Sequence, residues 1–301
     1  GLVTLITVVG IVPYIALQFK AGAMSIAVLS GAAAVEGGTP VLADSAFYLA
    51  VLLAVFAILF GTRQVDATEH HHGLMLAVAL ESLVKLLAFV AVGLFALQYV
   101  PDDWSPLEPA TLSAQGLDVF PEGFLAQTVL AFLAMFCLPR QFQVGVVECE
   151  NPADLRYARW LFPLYLLIIC ALVLPIAAAG TSLFAGSGVH PDSYVLQLPL
   201  AAGENALALF AYLGGFSAAT GMVIVATVAL ATMVSNDLVV PALLRTARYA
   251  KGAPPDLSVL VLRIRRTTIV VLALLAYAYH RAAETQSEGA VFGVVSFVAV
   301  A

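Results

Sequence analysis

EHHHGLMLAVALESLVKLLAF occupies residues 69–89, and its reading decides the rest. After three histidines an apolar run extends over 74–98, broken mainly by Glu81, Ser82 and Lys85. A helix rises about 1.5 Å per residue, so about 20 apolar residues cross the hydrocarbon of a bilayer. The run is long enough. Glu81 and Lys85 are four positions apart with the acid first, the favourable order for a helical ion pair. Charges within a span are costly and face protein or a water-filled cavity. The pair therefore reads either as a structural ion pair that fixes helix packing or as the lining of a solute or ion pathway. His70, His71 and His72 are consecutive, so their side chains point about 100° apart on a helix. They lack the i, i+4 spacing that puts two imidazoles on one metal. They read as a helix start, not a metal cage.

Composition extends this reading to the whole chain. The sequence has 301 residues, 62% of them hydrophobic and 11% charged, and its mean hydropathy is +0.99. A soluble domain is nearer half apolar and a quarter charged. No water-soluble fold of this length hides so much apolar surface. Cys137, Cys149 and Cys170 are too far apart for a CxxC pair and suggest neither a disulfide framework nor zinc. The chain begins and stops inside apolar runs, which reads as a piece of a longer protein.

Eight segments are expected to span: 1–19, 45–61, 74–98, 124–138, 159–180, 204–234, 266–280 and 289–301. They are expected to be helices, because a transmembrane barrel would show ten-residue alternation. Basic residues orient them. The loops at 62–73, 139–158 and 235–265 hold Arg63, Arg140, Arg156, Arg245, Arg248, Lys251, Arg263 and Arg265. The alternate loops hold only Lys20 and Arg281, with Asp102, Asp103, Glu108, Asp118, Glu122 and Asp192. The positive-inside rule places the first set, and the start of the chain, in the cytoplasm. No nucleotide motif and no nucleic-acid signature stands out. The basic stretch 245–266 reads as a cytoplasmic loop. HExxH and GxSxG are missing, so no catalytic site is expected here.

Four longer stretches carry a resemblance. VDATEHHHGLMLAVALESLVKLLAFVAVGLF (65–95), PYIALQFKAGAMSIAVLSG (13–31), LPRQFQVGVVECENPADLRYARWLFPLYLLIICALVLPIA (138–177) and GGFSAATGMVIVATVALATMVSNDLVVPALLR (214–245) are spread along the chain between residues 13 and 245. They are similar to the sodium/solute symporter family. More specifically, they resemble the symporter-like membrane module of sensor histidine kinases of the CbrA type.

The resemblance implies an all-α membrane protein with a LeuT-type fold of two inverted repeats and a solute site at mid-membrane. First-repeat helices would occupy about 1–98 and second-repeat helices about 124–301, without the first two core helices. In the family, hydroxyls on core helix eight bind sodium. Ser217 and Thr220 are the matching candidates, one turn apart on one face; packing between helices is the alternative reading. Gly221 and Met222 stand where the family has an adjacent hydroxyl pair, a departure that favours proton coupling or sensing over sodium coupling. Asp66, with Glu69, matches a motif at the cytoplasmic end of core helix five and would line the exit or cap the helix. Gln18 and Phe136, with Tyr14, are further candidates for the pathway. Asn236 and Asp237 would attach a loop.

The implied function is ion-coupled symport of a small organic solute such as an amino acid, driven by Na+ or H+, with no other cofactor. The alternative is a non-transporting sensor that signals to a cytoplasmic kinase domain of the same chain. The implied setting is the lipid bilayer of a bacterial inner membrane.

Overall fold

Backbone N–H and C=O groups in hydrocarbon find no water, so an apolar run closes its hydrogen bonds within itself. The computed structural model describes residues 1–31, 40–62, 72–101, 123–149, 151–244 and 257–284. Among them the regular structure is entirely helical. The main elements are α1 (Leu2–Ser30), α2 (Ser45–Gly61), α3 (His72–Ala96), α4 (Phe124–Cys137), α5 (Pro139–Phe142), α6 (Leu155–Leu183), α7 (Tyr194–Ala201), α8 (Asn205–Val234), α9 (Val240–Leu244) and α10 (Leu257–Glu284). Four helical stretches are long and apolar enough to cross a membrane: Leu2–Ser30, Met75–Tyr99, Pro152–Leu183 and Asn205–Leu243. The expected segment at 289–301 lies outside the described residues.

Several helices outrun the apolar windows that predict them. α1 continues past Lys20 to Ser30, and α10 begins at Leu257 with Arg263, Arg265 and Arg266 in its early turns. Helical hydrogen bonding does not stop where hydrophobicity stops, and long basic side chains reach water from a helix end. Gly31 ends α1 in the left-handed conformation, with φ 62°, and its N–H reaches the carbonyls of Ala27 and Val28.

α8 is the axis of the bundle and packs against α1, α2, α3, α7 and α10. Cross-contacts give the helix directions. On α3, Glu81 and Ala88 meet Gly221 and Gly214 of α8. Going up one helix goes down the other, so the pair is antiparallel. α1 is also antiparallel to α8, since Thr4 bonds Asp237 and Tyr14 bonds Met222. α3 and α6 run parallel: Lys85 lies over Tyr165 and Gly93 abuts Leu172. α2 and α10 are antiparallel, joined by Asp44–Tyr277 at one end and Thr62–Arg266 at the other.

Apolar packing and missing side chains hold these helices together. Ile15, Phe19, Leu53, Leu230 and Leu272 are buried in one cluster. Gly22 admits Leu49, Gly61 admits Val228 and Gly180 admits the Tyr194 ring, each in space that a Cβ would fill. Such close approach is how helices associate where lipid removes the hydrophobic drive. Large apolar side chains also cover the outside, among them Leu76, Leu80, Phe132, Trp160 and Leu167. That is the pattern of a surface solvated by lipid.

Candidate functional site

The polar groups of α1, α3 and α8 gather where these helices meet. A cavity of about 250 Å³ opens there. Lys85 and Phe89 of α3, Ser25 of α1, Tyr212 and Ala218 of α8, and Asp192 just before α7 contribute to its wall. Small residues at 214, 215 and 218 leave the room.

Lys85 lies with its Nζ 5.9 Å from the centre of the Tyr165 ring, a cation–π arrangement. Glu81, one turn away, feels the Lys85 charge, and its carboxylate rests against the backbone of Gly221. A Cβ at position 221 would overlap that carboxylate. The Tyr165 hydroxyl is buried and has no hydrogen-bond partner.

Tyr14 and Gln18 precede Ser25 on α1 by eleven and seven positions, so all three share a face. Tyr14 lies roughly 16 Å along the helix from Ser25. Its hydroxyl donates to Met222 Sδ at 2.8 Å and accepts from Arg140 Nη1. The guanidinium carbon of Arg140 lies 4.7 Å from the centre of the Tyr14 ring. Arg140 Nε is buried without a partner. Sequence reading placed Arg140 in a cytoplasmic surface loop. Instead α4 stops at Leu138, which is extended (φ −69°, ψ 121°), and the chain restarts as α5 and a π turn, Gln143–Val147. Pro139 enforces the break: it cannot donate to the preceding turn and disfavours helix at Leu138. The break turns Arg140 inward.

The other candidates fall as follows. Gln18 is partly buried on α1. Ser217 and Thr220 are partly buried on α8, and the Thr220 hydroxyl donates to the Phe216 carbonyl of its own helix at 2.8 Å. Ser217 lies three positions after Gly214 and four before Gly221, on the side of α8 turned toward α3. Phe136 is 67% exposed and stacks edge-on with Phe132 on the outside of α4. Asp66, Glu69, His70 and His71 lie outside the described residues. Among the described residues no cluster of His, Cys, Asp or Glu has the makings of a metal site. Asp237 accepts from Thr4 Oγ1 at 2.8 Å, and the chain continues helically past it into α9.

Sequence reasoning missed Arg140. The signal was the Leu-Pro-Arg at the end of a span, a helix stop followed at once by a cation. No family model matches the chain, and no curated protein and no solved structure does.

Proposed function

We propose that this chain is the membrane module of a solute transporter or transporter-derived sensor, and that its solute enters the cavity walled by α1, α3 and α8. The observation that carries the reading is the placement of Lys85 in the wall of that cavity, inside a bundle whose outer surface is apolar. A charge within a span marks a pathway or a ligand site. The bounding helices are small-residue contacts, which suit helices that shift against each other. The proposed architecture is the LeuT-type inverted repeat with eight spans. It is supported by the helix directions and by the interruption at Leu138, since discontinuous helices mark the binding sites of such transporters. The proposed activity is ion-coupled symport of a small organic solute. Glu81, beside Gly221, is a proton-carrying candidate; Ser217 and Thr220 are sodium candidates.

The test is uptake of a labelled amino-acid and organic-acid panel into proteoliposomes holding the full-length protein, with sodium and proton gradients imposed separately. Accumulation driven by one gradient is the expected result and names the ion. Saturable binding without accumulation would instead assign the module to sensing. Neither binding nor uptake of any solute would overturn both.

A further inference from the structure

We propose that Arg140 is an anion-binding residue, and that the solute of this membrane module carries a carboxylate. The proposal rests on the solute reading above and names its chemical class.

A guanidinium stays ionised, and an ionised group taken out of water needs a counter-ion and hydrogen-bond acceptors. Among the described residues no carboxylate touches Arg140. Its contacts are the ring and hydroxyl of Tyr14. The aromatic face offsets part of the charge, but a ring accepts none of the in-plane N–H groups. Tyr14 occupies only Nη1. The other edge of the fork, Nε with Nη2, is the edge that takes a carboxylate side-on through two parallel bonds. Nε is buried and has no partner on that edge.

The residue is also held in place. The Tyr14 hydroxyl, between Met222 Sδ and Arg140, fixes one edge of the guanidinium while Nε on the other edge is left without a partner. Arg140 is partly buried, against Tyr14 of α1. Tyr14 lies ten residues, roughly 15 Å of helix rise, beyond Thr4, and Thr4 marks the end of the bundle where α1 meets Asp237. Tyr14 shares its α1 face with Ser25 of the cavity wall. A solute leaving the cavity along this face passes from Lys85 toward Arg140. Lys85 has Glu81 nearby; among the described residues Arg140 has no acid in contact, so an anionic solute completes it.

The experiment uses the full-length protein in nanodiscs of neutral phosphatidylcholine. Propionate, succinate and alanine are the carboxylate probes, and propionamide is the uncharged isostere of propionate. Binding is read by equilibrium titration with thermal shift as a second readout. We expect saturable carboxylate binding, with propionamide weaker by about tenfold or more, the scale of a hydrogen bond to a charged group. Arg140→Gln should lose carboxylate binding by about ten- to a hundredfold. Arg140→Lys should restore part of it, and Tyr14→Phe should weaken it less than Arg140→Gln. The wild-type comparison of propionate with propionamide needs no variant to fold. Equal affinity for the two overturns the proposal, as does unchanged carboxylate binding in folded Arg140→Gln. If no carboxylate binds but phosphatidylglycerol raises the melting temperature in an Arg140-dependent way, the anion is a lipid headgroup and the solute assignment fails. Arg140-dependent carboxylate binding without gradient-driven uptake leaves the site standing and removes transport. Uptake of uncharged solutes untouched by Arg140→Gln does the reverse.

Discussion

Asp44 and Arg140 are both charged groups drawn into the bundle, and their surroundings differ in one respect. Asp44 is 3% exposed and has its hydrogen bonds made. One oxygen accepts the Ala46 N–H at 2.9 Å and so caps α2; the other accepts the Tyr277 hydroxyl at 2.8 Å and faces Arg281 Nη1 at 3.5 Å. His280 packs beside Tyr277, and Lys20 acts electrostatically on His280. Arg140 has an aromatic ring, one hydroxyl and an orphaned Nε. A completed set of partners joins two helices, α2 and α10; an incomplete one leaves a place for a ligand. The contrast also accounts for Arg281, one of the two basic residues on the side otherwise carrying acids. Arg281 is held by Asp44 rather than displayed to the aqueous phase.

The largest effect should separate these two sites. Asp44→Ala removes the carboxylate that the Tyr277 hydroxyl and Arg281 meet and uncaps α2, and should destabilise the protein by about 3–5 kcal/mol. Arg140→Gln removes a charge that no carboxylate among the described residues balances, and should leave the ligand-free protein unchanged or more stable. Unfolding in detergent micelles, followed by circular dichroism, measures both. Equal losses would erase the distinction.

Position 221 offers the next test. A Cβ there meets the Glu81 carboxylate, whereas a Cβ on Gly215, in the same helix, meets nothing within 4 Å. Gly221→Ala should cost about 1–3 kcal/mol through overpacking. Gly215→Ala should be neutral or gain up to about 1 kcal/mol of helix propensity. Similar melting temperatures for the two variants would mean that Glu81 does not press on α8.

Smaller still is the coupling between Glu81 and Lys85. Lys85 acts on Glu81 electrostatically and also lies over the Tyr165 ring, so Glu81 is not its only neighbour. Removing either alone leaves a charge in the span, so Glu81→Gln and Lys85→Gln should each destabilise more than the double variant. A coupling energy of about 1 kcal/mol is the scale for neighbouring groups. Strictly additive losses would show that each charge is balanced elsewhere.

The helices were legible because a bilayer imposes a length and a composition, and seven of the eight expected segments correspond to helices among the described residues. The ends were less legible, since Lys20 and Arg263 stop hydrophobicity without stopping helical hydrogen bonds. Lys85 was singled out because a charge inside an apolar run is visible locally. Arg140 was not, because what makes it a site is Tyr14, 126 positions away. The same limit applies to Asp44. Its role as a cap is local, but its bond to Tyr277 spans 233 positions and leaves no trace in either stretch. Phe136 is the converse: an aromatic residue in a span tells nothing of which way the helix turns, and here it turns outward.

The smallest expected effect concerns Ser217 and Thr220, and it bears on the coupling ion. The Thr220 hydroxyl bonds only a carbonyl of its own turn, so Thr220→Ala removes no contact between helices. Ser217→Ala should be as mild, and each should change stability by less than about 0.5 kcal/mol. Their weight falls on ion dependence instead. If the two hydroxyls ligate sodium, the double alanine variant should abolish sodium-driven uptake while proton-driven uptake and the melting temperature stay as they were. If Glu81 carries the coupling proton, the same variant should change neither, and Glu81→Gln should remove the proton dependence alone. A Thr220 hydroxyl that bonds within its own turn and a carboxylate lodged against the backbone of Gly221 weight the outcome toward Glu81.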